Sequence, residues 1–169
     1  MVITNIASKV NELRKKYSLN TIPVDLNKVT SKENFDVIEM DFSEFENKVN
    51  RQISGILYIS GETKQILVNM RDNDRRRNFT VAHELGHYYL HYDKNKEDEV
   101  FVSFRGDSNP REAEANRFAA ELLIPSEKLR KEHELTLFPT ISDFASKFNV
   151  SIQAMRIKLN QMGLSIIEL

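Results

Sequence analysis

The sequence contains no cysteine. Disulfides and thiolate metal ligands are therefore excluded, and any bound metal must be held by histidines and carboxylates. The lack also fits a reducing compartment. No apolar run is long enough to span a bilayer, and Met1-Val2-Ile3-Thr4-Asn5 has no apolar stretch behind a basic segment. Neither a membrane span nor an export signal is expected, and the cytoplasm is the expected location. An excess of charge is missing too. With a formal net charge of −1, no global field draws the chain to nucleic acid or to a membrane surface. What is present suits a folded domain: 40% hydrophobic and 29% charged residues in a chain of 169, enough to bury a core unaided by cross-links.

Helical spacing of Ile6, Val10, Leu13 and Tyr17 predicts a first helix, and Pro23 is expected to open a second, short one carrying Leu26 and Val29. Residues 35–42, 53–60 and 65–70 read as strands. The last two are joined by a turn at Ser60-Gly61-Glu62-Thr63-Lys64. Short connections favour antiparallel pairing, so an antiparallel sheet of about three strands is expected. A long helix is predicted over 74–92, followed by a solvated, charged loop at 93–99. Pro110 then begins a helix that stops before Pro125. Further helices are expected at 126–134, 142–148 and 151–162, the last closed by Gly163.

Inside the long helix, His83-Glu84-Leu85-Gly86-His87 has the form H-E-x-x-H. Residues four apart share one helix face, so both imidazoles can meet one ion. Glu84 is next to His83 on the winding and can reach a water without becoming a ligand. Zinc lowers the pKa of a coordinated water to about 7, and a carboxylate can then take the proton during attack on a carbonyl. Gly86 costs a helix up to ~1 kcal/mol relative to Ala, which makes sense if another backbone or a substrate passes close.

A catalytic zinc takes three protein ligands and keeps a fourth position open. His91 is eight residues from His83, roughly 12 Å along a straight helix, too far to share the ion. The third ligand must come from another element. The helix after Pro110 offers Glu112 and Glu114, which lie roughly 160° apart, so only one can face the metal. Glu112 shares its face with Ala115, Asn116 and Ala119, small enough to admit another helix. It also places Asn116 where a side-chain oxygen could accept the outer N–H of a ligand histidine. Glu112 is preferred, with Glu114 the alternative.

Two blocks resemble the core of the ImmA/IrrE family of zinc metallopeptidases. They are Phe79-Thr80-Val81-Ala82-His83-Glu84-Leu85-Gly86-His87-Tyr88-Tyr89-Leu90-His91 and Arg111-Glu112-Ala113-Glu114-Ala115-Asn116-Arg117-Phe118-Ala119-Ala120-Glu121-Leu122-Leu123-Ile124-Pro125. The resemblance implies an α+β, zincin-like domain over residues 1–138. A small antiparallel sheet and the motif helix would form it, with a helix-turn-helix-like section at 139–169 packed on it. It implies His83 and His87 as zinc ligands, Glu84 as general base, and a glutamate third ligand in the Glu112–Glu114 block. Asn116 matches a position where the family has Asn or Asp. It further implies cleavage of a regulatory protein, such as a helix-turn-helix repressor of a mobile element, a stress response or a toxin–antitoxin module. In zincins the substrate lies extended along an exposed strand, and the hairpin at 53–70 is expected to supply that edge.

Other features carry less. The C-terminal section has helix-turn-helix form, but Lys147, Arg156 and Lys158 against Asp143 and Glu168 leave little charge for phosphate contacts, so direct nucleic-acid binding is not expected. Arg75-Arg76-Arg77 reads as a solvated face. Tyr88, Tyr89 and Tyr92 are candidates for an oxyanion donor, with packing the alternative for each. A second functional class stays open: a binding or sensing module whose zinc site is structural or vestigial. The intact Glu84 favours the enzyme, because a structural site needs no base beside its histidines.

Overall fold

A computed structural model of the protein describes residues 6–138 and 140–166. The chain falls into two compact units, one of residues 1–25 and 120–169, the other of residues 26–119. No helix among the described residues is long and apolar enough to cross a membrane.

The unit of residues 26–119 is built on one sheet. Its elements are α2 (Asn27–Thr30), β1 (Asp36–Met40), α3 (Ser43–Val49), β2 (Ile53–Ser60), β3 (Thr63–Asn69), α4 (Asp74–Leu90), β4 (Asp98–Phe104) and the start of α5 (Pro110–Leu123). Strand order is β1-β3-β2-β4. The sheet is mixed rather than antiparallel: β1 runs parallel to β3, while β2 pairs antiparallel with β3 and β4. The reason is α3, absent from the sequence reading. It carries the chain from β1 to β2, so that the β2–β3 hairpin returns β3 alongside β1 in the same direction. No residue of α3 is buried, and its apolar pair, Phe45 and Val49 on one face, is half exposed. Polar contacts hold it instead. Glu46 accepts from the Ile53 N–H (2.9 Å) and from Asn69 Nδ2 (3.4 Å), and it pairs with Arg71.

The topology corrects a second expectation. Both strands of the hairpin are interior, and the edge beside β2 is β4. That strand begins within the stretch expected to be a solvated loop. Its residues alternate: Asp98, Val100 and Val102 are exposed, whereas Ser103 is buried and Phe101 partly so. A β-bulge at Ser54 shifts the β2–β4 register, so that Ile53 pairs with Phe104 and Gly55 with Ser103.

Helix α4 starts where Asn73 accepts a hydrogen bond from the Arg76 N–H. It packs on β2 and β3. Thr80 to His87 are buried without interruption, which means the helix is covered on more than one side. The second cover is α5. A Cβ on Gly86 would lie 3.0 Å from Ala115 Cα and 3.1 Å from its carbonyl oxygen, so glycine is what lets the two helices approach. Asn109 begins α5 by accepting from the Glu112 N–H (3.1 Å), with Pro110 in the first turn.

The other unit is helical. It comprises α1 (Ile6–Lys16), the end of α5, α6 (Ser126–Leu135), α7 (Ile141–Lys147) and α8 (Ile152–Met162). Val10, Leu13, Leu122, Leu129, Phe144, Phe148, Met155 and Leu159 are buried in it. Arg14 donates to the carbonyls of Leu19 (2.8 Å) and Leu122 (3.2 Å), and the buried Lys158 reaches Glu121 (2.6 Å). Thr140 and Ser151 cap α7 and α8, and Gly163 ends α8 at φ +63°. Pro23 follows a cis peptide and lies ahead of α2, not in its first turn. Pro139 lies outside the described residues, as do 1–5 and 167–169.

Candidate metal centre

Three side chains from α4 and α5 converge. His83 Nε2 lies 3.0 Å from His87 Nε2, and the two nitrogens lie 3.1 Å from Glu112 Oε2 and Oε1 respectively. All three residues are buried. One turn of helix separates the imidazoles, as the i, i+4 spacing requires, and the Gly86–Ala115 contact brings Glu112 within reach.

The outer nitrogens decide what the inner ones present. His83 Nδ1 is 3.0 Å from Asn116 Oδ1, an obligate acceptor, so Nδ1 carries the proton and Nε2 keeps its lone pair. His87 Nδ1 faces His91 Nδ1 at 3.0 Å. With the proton on His87 Nδ1, both Nε2 atoms and both Glu112 oxygens aim lone pairs at one point. Such a set repels itself unless a cation or shared protons sit among it. Donors bound at about 2.0–2.1 Å to a tetrahedral zinc lie about 3.3 Å apart, close to the separations here. Two imidazoles and a carboxylate fit a divalent transition ion, and the cluster suggests one.

The donors shift one another accordingly. Burial works to raise the Glu112 carboxyl, but the His83 and His87 rings beside it outweigh that and hold the group at about 2. Burial likewise works against a charged His83, yet the Glu112 hydrogen bond and the charge of Glu84 carry it above its ordinary value. At His87 burial wins, and the neighbouring His83 and His91 add to the lowering.

Glu84 is fully buried, and neither of its oxygens has a hydrogen-bond partner. Burial pushes its carboxyl up to about 7, while the charge of His83 pulls the other way; the Ser103 hydroxyl is nearby. That hydroxyl sits 3.2 Å from His83 Nε2. A Cβ on Gly55 would come within 2.8 Å of Glu84 Oε1 and 2.4 Å of Thr80 Cγ2, so glycine in β2 makes the room that Glu84 occupies.

β4 runs along the centre. Phe101 stacks on the His87 ring (centroids 5.2 Å apart, 21° between planes), and Ser103 meets His83. A cleft opens beside His83, Glu112 and Asn116, lined also by Phe79, Phe104, Arg76 and Arg105. Sequence reading missed the contributions of Gly55, Phe101 and Ser103. A glycine inside an apolar strand was the available sign for the first. For the other two it was the alternation in Val100-Phe101-Val102-Ser103.

The remaining candidates lie elsewhere. Glu114 is directed to His91, Nε2 to Oε2 at 2.9 Å, and not to the donor cluster. The Tyr88 hydroxyl accepts from Lys64 Nζ (3.0 Å) and donates toward Glu33 Oε2 (3.5 Å). Tyr88 stacks on Tyr92, and Tyr89 stacks on Phe118. Arg77 donates to the Asp72 carbonyl (2.9 Å), and Arg76 Nε lies 3.8 Å from the Asp72 carboxylate.

Comparison with known proteins agrees with this geometry. Residues 30–160 match the family model of peptidase M78, described as the IrrE N-terminal-like domain. Metallopeptidase ImmA of Bacillus subtilis (strain 168) is 31% identical over 112 residues, which is 66% of this chain and 66% of that protein. The uncharacterized immunity region protein 2 of Bacillus phage phi105 is 31% identical over 159 residues, 92% of this chain and 89% of that one.

Proposed function

The chain belongs to the IrrE N-terminal-like family of metallopeptidases, and from that premise we propose that it is a zinc-dependent endopeptidase acting on a regulatory protein inside the cell. The observation that carries the reading is the convergence of three buried lone-pair donors next to a buried carboxylate with no partner. His83, His87 and Glu112 hold the ion, and Asn116 orients His83. When bound, zinc supplies Lewis acidity toward a water and a peptide carbonyl. Glu84 accepts the proton of the attacking water and delivers it to the leaving amine. A structural or vestigial site, the alternative, gives no reason to bury a carboxylate without a partner.

β4 supports the substrate assignment. Among the described residues it has one neighbouring strand, and its inward side chains touch both histidines. A peptide added along that free edge would run beside the donors, held by backbone hydrogen bonds as in a zincin-like fold. Backbone pairing is indifferent to side chains, so selectivity for one partner must come from further contacts. The phage relative's name assigns that protein to an immunity region, which fits a peptidase that removes a repressor, such as a helix-turn-helix protein encoded nearby.

Co-expression with the neighbouring regulator tests this. Mass spectrometry should find a defined clip with the wild type and none with Glu84→Gln. Indiscriminate digestion of casein would instead mark a general peptidase and remove the regulator from the reading.

A further inference from the structure

His91 and Glu114 are too far from the donor cluster to join it, yet they meet each other. His91 follows His87 by one turn and caps α4, its N–H bonded to the His87 carbonyl at 2.8 Å. Its side chain is 6% exposed. One ring nitrogen, Nδ1, is 3.0 Å from His87 Nδ1, and the other, Nε2, is 2.9 Å from Glu114 Oε2. Glu114 comes from α5, two residues after Glu112 and on the opposite side of that helix, and its side chain is half exposed.

This chain has one consistent set of protons when His87 Nε2 must offer a lone pair. His87 Nδ1 then carries its hydrogen and donates to His91 Nδ1. The His91 proton is thereby confined to Nε2, which donates to the Glu114 carboxylate, an acceptor only. Each ring is neutral, each donor has an acceptor, and the direction is set from the carboxylate end. A lone histidine could rotate its ring or exchange its tautomer, and either change would turn a hydrogen toward the centre. We propose that His91 and Glu114 are positioning residues for the metal site: Glu114 fixes the tautomer of His91, and His91 fixes the tautomer and ring orientation of His87. They do for His87 what Asn116 does for His83 by a single contact. The proposal rests on the metal-site reading above and adds two residues that touch neither ion nor substrate.

The test is zinc affinity, measured by competition with a chromophoric chelator on the full chain. His91→Phe keeps a ring of similar size and removes both nitrogens. It should weaken zinc binding by about 10- to 100-fold. His91→Asn returns an acceptor near the Nδ1 position and should recover part of that loss. The visible spectrum of the cobalt(II)-loaded protein should move in the Phe variant and return toward wild type in the Asn variant. Glu114→Ala, at a half-exposed position where folding is not at stake, should cause a smaller loss, because water partly replaces an exposed carboxylate. Its effect should vanish in the His91→Phe background, since Glu114 acts only through His91. Wild-type affinity in His91→Phe and Glu114→Ala would overturn the proposal, and so would an undiminished Glu114→Ala effect in the double variant. If the wild type itself takes up no zinc, the metal-site reading fails first, and this proposal with it.

Discussion

Helix α4 has two unlike sides. Toward α5 its polar atoms are matched: Asn116 answers His83, His91 with Glu114 behind it answers His87, and Glu112 joins both histidines at 3.1 Å. Toward the sheet it turns Glu84, whose two oxygens are buried and unanswered above a glycine. The difference separates two tasks. Holding an ion needs donors that cannot move, and every hydrogen bond behind them removes an alternative orientation. Moving a proton needs a group that is not already committed, and such a group must be kept from the neighbours that would satisfy it.

Removing a donor from the matched side should have the largest effect. His83→Ala, His87→Ala or Glu112→Ala should abolish stoichiometric zinc uptake, measured by elemental analysis of the purified protein. Full occupancy in the double histidine variant would end the idea of a shared site. Next comes the unmatched side. Glu84→Gln preserves shape, should leave zinc content at the wild-type level, and should lower cleavage by about 10²- to 10⁴-fold. Wild-type turnover in this variant would put the base elsewhere. Asn116→Ala should lower zinc affinity by about 10- to 100-fold in the chelator competition, with the fold retained by circular dichroism. An unchanged affinity would show that the His83 tautomer needs no help.

The smallest effects come from the two glycines, one on each side. Gly86→Ala gains up to ~1 kcal/mol of helix propensity but forces a methyl against the Ala115 backbone, and such overpacking costs about 1–3 kcal/mol. The melting temperature should fall by a few degrees, with a parallel loss of zinc affinity because α5 carries Glu112. Gly55→Ala meets two side chains first, Thr80 (2.4 Å) and Glu84 (2.8 Å), with the Leu67 carbonyl oxygen next at 3.2 Å. It should reduce turnover while leaving zinc binding close to wild type. Equal effects of the two substitutions on zinc affinity would erase the distinction between the sides.

What could be read from the sequence follows the same line. Helices α4 and α5 announce themselves through an apolar period bounded by Asn73, Pro110 and Pro125, and the pairing of Glu112 with Asn116 on one face needs only helical geometry. The sheet order did not follow from local pattern. It depends on α3, which is held by Glu46 rather than by buried apolar residues and offers only one apolar pair, Phe45 and Val49, too short a pattern to mark a helix. β4 was hidden by charge, because Asp98 and Glu99 belong at once to a polar run and to a strand. The contact of His91 with Glu114 depends on where α5 passes α4, which no spacing within either helix encodes.

The open flank of β4 has one more consequence. A row of backbone donors and acceptors with no strand beside it among the described residues accepts any extended chain, another copy of itself included. Val100 and Val102 stand 53% and 37% exposed on this strand, and the charged pair Asp98-Glu99 lies only at its beginning. Edge-to-edge association and ligand addition therefore draw on the same hydrogen bonds. A strand kept available for a partner cannot also be blunted by proline, a bulge or a covering helix, and colloidal behaviour at high protein concentration is where that exposure is felt.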